Sequence, residues 1–163
     1  MRWLLLDSFN FIDLSNGGRA QARRAVTRAE DFFSDYFPFY PILPSTLQIE
    51  MIAQTGGVLV GAAVNFEKEV ILAKIDWARF PKEVIPPAVL VIDAWITERR
   101  DEGTRIEGKI TNEGVVVCEA SILLAHMAGL ETGGLVPAGE SIVFTRDFLN
   151  SYQIKEIVGT QCR

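Results

Sequence analysis

Histidine occurs once in this chain, as His126, and cysteine twice, as Cys118 and Cys162. One histidine, with no CxxC pair and no His/Cys cluster, makes a classical zinc site an unpromising expectation. Two cysteines also build no disulfide framework. Cys118 lies in an apolar run and reads as a reduced core residue, while Cys162 is next to last and reads as exposed. Positive charge is in short supply: 16 Lys and Arg against 21 Asp and Glu give a formal net charge of −5. That balance argues against a general nucleic-acid surface. The apolar run Trp3-Leu4-Leu5-Leu6 is too short for a signal peptide and lacks a small-residue cleavage site. No internal repeat or low-complexity segment is present. These absences lead to the expectation of a cytoplasmic protein without a classical zinc site that binds neither nucleic acid nor membrane.

What the chain does have is concentrated between Asp35 and Val64. Three of its seven prolines, Pro38, Pro41 and Pro44, fall within seven residues. Each fixes its own φ and holds the preceding residue extended, so the aromatic stretch Tyr36 to Pro44 reads as a rigid loop. A helix follows. Ser45 is placed to cap it, with Gln48 three residues on to complete a capping box. From Thr46 to Val64 the only charged residue is Glu50. A helix apolar nearly all round is buried or spans a membrane. Gln48, Glu50, Gln54 and the paired Gly56 and Gly57 favour burial over a span.

Around this helix the pattern is one of strands. Trp3 to Ile12 and Arg19 to Thr27 read as two strands joined at Asn16-Gly17-Gly18, the second alternating Ala20 and Ala22 with Arg19, Gln21 and Arg23. Arg28 to Phe33 reads as a short helical turn. Beyond the helix, Val70 to Phe80, Ala88 to Glu98, Thr104 to Thr111 and Val115 to Met127 read as strands, the last three joined by the tight turns at Arg99–Gly103 and Asn112-Glu113-Gly114. A length of 163 residues, 48% hydrophobic and 23% charged, fits one domain with a core. Hairpins after a single helix argue for an α+β domain whose antiparallel sheet curls around that helix. Ala128 to Ser141 is glycine-rich and reads as a loop, and Thr145 caps a last helix over Arg146 to Val158. The domain is therefore expected over 1–127, with 128–163 a C-terminal extension carrying a loop and a short helix.

The one constellation that suggests chemistry is Glu50 just inside the helix. The helix N-terminus favours negative charge, and amides of Ser45, Thr46 and Leu47 are placed there to receive a developing oxyanion. Tyr36 offers a hydroxyl. A carboxyl group in an apolar setting retains its proton more readily and can serve as an acid. A purely structural role, with Glu50 bonded to Gln54 one turn on, is the competing reading. His126 sits among apolar neighbours and reads as a satisfied structural histidine. Arg19, Arg23, Arg24 and Arg28 read either as a solvated face or as an attractor for an acidic partner, and Trp77 and Phe80 as core or tunnel wall.

The spacing Tyr36-Phe37-Pro38, Pro41-Ile42-Leu43-Pro44, Leu47, Ile49-Glu50, Ala53-Gln54 and Gly56-Gly57 resembles the signature of the bacterial 3-hydroxyacyl-(acyl-carrier-protein) dehydratases. Leu4-Leu5-Leu6-Asp7, Lys74 to Phe80 and Ile85-Pro86-Pro87 extend the resemblance to about residues 1–127. It implies a hotdog fold, a long helix wrapped by an antiparallel sheet. It implies a homodimer, with a trimer of dimers as a larger possibility, and an acyl thioester on acyl carrier protein or coenzyme A as the partner. In that family a loop histidine of one subunit takes the α-proton, the helix carboxylate of the other delivers a proton to the β-hydroxyl, and no cofactor is needed. By position, Glu50 matches the carboxylate and Tyr36 stands where the family has histidine. The resemblance further places Phe37, Pro38, Phe39, Leu43 and Pro44 along the tunnel wall, Ser45 and Thr46 at the thioester oxygen, and Gln54 beside the carboxylate.

Two other departures accompany Tyr36: Phe39 and Ser45 replace glycines of the signature. A phenol of ordinary pKa near ~10 is a weaker base at neutral pH than an imidazole near ~6.5. Three readings therefore stand side by side. One is a dehydratase using Glu50 and Tyr36. A second is a non-catalytic acyl-thioester-binding protein or heteromer partner on the same fold. A third is a hotdog thioesterase in which the carboxylate activates water.

Overall fold

The computed structural model describes residues 4–35, 39–127 and 143–161. Its six strands form one antiparallel sheet. β1 (Ser8–Asp13) and β2 (Arg19–Val26) precede a short helix α1 (Asp31–Asp35) and the long helix α2 (Ser45–Ala63). β3 (Glu69–Arg79), β4 (Ala88–Arg99), β5 (Gly103–Asn112) and β6 (Val115–Met127) follow, and two short helices, α3 (Arg146–Ser151) and α4 (Ile154–Gln161), end the chain. The strand order is β1-β2-β4-β5-β6-β3, so the strand that leaves α2 crosses to the edge opposite β1. β4, β5 and β6 are joined by tight hairpins, as the turn signals predict.

The sheet wraps α2 because one face of each strand is built from residues that let the helix close in. Ala20 and Ala22 of β2 and Ala94 of β4 are fully buried, while Arg19 and Arg23 face outward. The outward row is tied across strands: Arg19 Nη2 donates to Asp93 Oδ1 at 2.8 Å and Gln21 Nε2 to the same oxygen at 2.9 Å. Within the core, Ile52 of α2 lies over Gly108 of β5, and Gly56 of α2 lies under Ile106. A Cβ added at Gly108 would stand 2.3 Å from Ile52 Cγ2, and Ile52 is itself fully buried. Gly108→Ala should therefore overpack the helix–sheet contact and cost about 2 kcal/mol. For a chain of this size that is a fall in Tm of roughly 4–8 °C. Thermal unfolding followed by far-UV circular dichroism checks it, and an unchanged Tm would mean that the contact has slack.

Several expectations are corrected in detail. The first strand begins at Ser8 rather than Trp3, with Leu5 and Leu6 already buried ahead of it. The capping box does not form. Pro44, at φ −54° and ψ 135°, takes the N-cap position, Ser45 is already helical, and no side chain caps the helix. Gln48 instead donates its Nε2 to the Leu43 carbonyl at 3.3 Å. The single last helix is two helices. Thr145 caps the first as expected, its hydroxyl accepting from the Phe148 amide at 3.2 Å. The break falls at Tyr152 and Gln153, because the Tyr152 ring turns into the core and Gln153 adopts a positive φ of 52°.

Trp77 and Phe80 are not core residues in this chain. Trp77 is 41% exposed and, with Ile75, stands on β3, which pairs with β6 alone among the described strands. Arg24 is held by Asp7 and Glu30 at 2.9 and 2.7 Å, which accounts for one arginine of the basic run. Cys118 is fully buried and its thiol is pushed up to about 12 by that burial, consistent with an inert core residue. Cys162 lies outside the described residues. Among the described residues, no helix is long and apolar enough to cross a membrane.

Candidate functional site

A cavity of about 520 Å³ opens beside the N-terminal half of α2, within the size range of small-molecule sites. Four residues of the helix face it: Glu50, Ala53, Gln54 and Gly57. Their spacing of three, four and seven is one helical face, the periodicity that puts successive turns in line. Val70, Ile71 and Leu72 of β3 and Leu124 of β6 form the opposite wall, Leu4 closes one side, and Val143, Phe144, Thr145 and Phe148 close another. Glu50 is the one ionisable residue among these, and Gln54 and Thr145 are its only polar side-chain companions.

Glu50 and Gln54 form a fixed pair. Gln54 Nε2 donates to Glu50 Oε1 at 3.0 Å, and Gln54 Oε1 accepts from the Leu5 amide at 3.1 Å. The amide of a residue 49 positions upstream thus sets the Gln54 side chain, and Gln54 in turn sets the carboxyl group. Glu50 is the sixth residue of α2, beyond the first turn. The helix dipole acts mainly within that first turn, so the carboxyl group answers to its Gln54 bond and its apolar walls more than to the dipole. Among the amides expected to receive an oxyanion, that of Leu47 already donates to the Pro44 carbonyl at 3.0 Å. Ser45 and Thr46 are exposed at the helix start.

The remaining expected site residues are dispersed. Leu43 and Pro44 are buried under the helix start, where the Leu43 amide donates to the Val84 carbonyl at 2.8 Å. Phe39 is fully exposed. None of Phe39, Leu43, Pro44, Ser45 and Thr46 lines the cavity. Tyr36, Phe37 and Pro38 lie outside the described residues. His126 is satisfied structurally: its Nε2 is 3.0 Å from Thr104 Oγ1 and its amide donates to the Glu102 carbonyl at 2.9 Å. Burial holds its imidazole below the ordinary histidine pKa. Among the described residues, no group of three His, Cys, Asp or Glu side chains is placed to hold a metal ion.

The C-terminal wall was missed at the level of sequence, where 128–163 reads only as an extension. Its signal was nevertheless present. Phe144, Phe148 and Tyr152 recur every four residues, a helical stripe whose partners lie far upstream.

A long buried helix wrapped by an antiparallel sheet, with a carboxylate-bearing cavity beside it, defines a hotdog protein. Solved structures share the architecture at low identity. A putative thioesterase from Lactococcus lactis superposes with a TM-score of 0.62 at 12% identity, covering 74% of this chain and 91% of that one. A dehydratase heterocomplex from Xenorhabdus doucetiae does so with a TM-score of 0.51 at 15% identity, covering 72% and 96%. Sequence similarity narrows the class. Residues 3–121 match the FabA-like domain family, and the chain belongs to that family. It is 38% identical over 124 residues to the 3-hydroxyacyl-[acyl-carrier-protein] dehydratase FabZ of Listeria welshimeri, covering 76% of this chain and 85% of the relative. To the FabZ of Bacillus velezensis it is 36% identical, with 76% and 86% covered.

Proposed function

We propose that this chain binds the acyl group of a carrier-linked thioester in the α2 cavity and catalyses dehydration of a 3-hydroxyacyl group, in fatty-acid-type metabolism in the cytoplasm. The observation that carries the reading is the cavity itself: a largely apolar space with, among its described lining residues, one carboxyl group, held by Gln54. An acyl chain satisfies the apolar walls, and the β-hydroxyl is the group that calls for a proton carrier. In the forward step a base removes the α-proton, the Cα–Cβ double bond forms, the Cβ–O bond breaks, and Glu50 supplies the proton that lets the hydroxyl leave as water. With Oε1 engaged by Gln54, Oε2 carries that proton. The reverse step hydrates an enoyl thioester.

Tyr36 holds the position from which the family's base acts. As a phenolate it takes the α-proton while Glu50 gives one, so the pair works with one proton between them and turnover falls as pH rises past about 10. The working unit is a homodimer, with each Tyr36 facing the Glu50 of the other subunit. Among the described strands β3 is an edge, and its exposed Ile75 and Trp77, with Phe80 just beyond its end, support such pairing, since an edge strand with apolar side chains is a template for another strand. The reading of the chain as a non-catalytic or heteromeric partner draws on one observation, the tyrosine in place of histidine.

Incubation with crotonyl-coenzyme A, followed by loss of the conjugated enoyl absorbance and by chromatography of the products, separates the readings. Formation of 3-hydroxybutyryl thioester is the expected result. Release of free thiol with the β-carbon unchanged would assign a thioesterase instead. Binding without any turnover, alone and at all pH values, would assign the non-catalytic role.

A further inference from the structure

The sheet leaves one side of α2 uncovered, between its two edge strands, and the C-terminal segment runs across that side. At one end, the Val143 amide donates to Glu69 Oε2 of β3 at 3.1 Å. At the other, the Tyr152 hydroxyl donates to the Leu6 carbonyl just before β1 at 2.8 Å, and Ile154 is fully buried. β3 and β1 are the opposite edges of the sheet, so the segment is a strap fastened to both. Between the fastenings runs a chain of aromatic contacts. Phe66 meets Phe144 edge-on at 5.2 Å, Phe144 lies 6.1 Å from Phe148, Phe148 meets Tyr152 edge-on at 5.1 Å, and Tyr152 meets Phe9 at 5.5 Å. The strap seats against the helix through glycines. A Cβ at Gly61 would stand 3.1 Å from Phe144 Cε2, and one at Gly57 would be 3.9 Å from Phe144 Cζ. The strap itself, from Val143 to Ile154, lies beyond residue 121, where the family match ends.

The same strap forms a wall of the cavity. Glu50 and Gly57 are seven residues apart on α2, which separates them by about 10 Å along the helix axis. Along α2 the cavity lining therefore runs from Glu50 to Gly57, where the Phe144 ring sits, with Phe148 beside it in the same lining. We propose that the C-terminal strap is the chain-length gauge of this site: Phe144 and Phe148 set how far an acyl chain can extend from Glu50 and restrict the protein to short and medium chains. The inference rests on the acyl-thioester reading of the cavity. Phe148, which is partly buried, is the adjustable stop, while Phe144 is deep in the core and holds the strap down.

The test is the binding of saturated acyl-coenzyme A thioesters from butyryl to lauroyl, measured by isothermal titration calorimetry for the full-length wild type, Phe148→Ala and Phe148→Trp. The wild type should prefer the shorter members. Phe148→Ala should shift preference toward lauroyl over hexanoyl by on the order of ten-fold, and Phe148→Trp should shift it the other way. The larger ring preserves the aromatic contacts, so the second variant tests the gauge even if the first unfolds, and near-UV circular dichroism verifies packing in both. Unchanged preference in folded variants that still bind would overturn the gauge alone. Absence of binding by the wild type to every member would overturn the acyl reading, and the gauge with it.

Discussion

Glu50→Gln should lower kcat/KM for hydration of crotonyl-coenzyme A by about 10²–10⁴-fold, the span that a positioned proton carrier supplies, while leaving affinity for the thioester nearly unchanged. The substitution keeps size and shape. The new amide oxygen still accepts from Gln54 Nε2, so the bond that fixes the side chain survives. What is lost is the ability to give and take a proton, and among the described residues no other ionisable group lines the cavity to replace it. The effect should therefore fall on kcat, the signature of an interaction made only in the transition state. Gln54→Ala offers the complementary measurement. It removes the link between the Leu5 amide and the carboxyl group and should lower kcat less severely, since Glu50 remains but is no longer held. Initial rates across substrate concentration, with binding measured separately, check both. Full activity in Glu50→Gln would remove Glu50 from the chemistry and return it to a structural role.

The fold was legible in the sequence because its main cues are local. Ala20 and Ala22 alternating with charged neighbours, the turn at Asn16-Gly17-Gly18, and a 19-residue segment with one charge each depend on a few adjacent residues, and each forms its element within a residue or two. The N-cap was misread because Ser45 satisfies a local rule while Pro44 settles the matter through its fixed φ and its burial. The candidate site was only partly legible. Glu50 and Gln54 meet one turn apart on one helix, which spacing alone foretells. The strap could not be read in the same way: Tyr152 reaches the Leu6 carbonyl across 146 positions, and Phe144 meets Phe66 across 78, contacts that only the folded chain creates. Trp77 and Phe80 read as core or tunnel wall, and the core half of that reading fails because β3 is an edge among the described strands and both rings are exposed on it or just beyond it.

Tyr36→His should raise dehydration of 3-hydroxybutyryl-coenzyme A at pH 7 on the order of 10²-fold and move the pH at which turnover is greatest downward. The size follows from base strength matched to pH. A phenol of ordinary pKa near ~10 is deprotonated in only about one molecule in a thousand at pH 7, whereas an imidazole near ~6.5 is mostly in its basic form. The phenolate, when present, is the stronger base, and this recovers part of the difference and keeps the expected gain below a thousand-fold. His126 cannot stand in for the missing imidazole. It is engaged with Thr104 between β5 and β6 and does not reach the cavity, so His126→Gln should leave the wild-type rate as it is. Rate–pH profiles of the wild type and both variants, taken on the same 3-hydroxyacyl thioester, decide the matter. A gain in Tyr36→His that disappears when Glu50→Gln is added would place the two residues at one reacting centre. No gain at any pH would mean that residue 36 does not face the substrate, and the base would then have to come from a heteromeric partner protein.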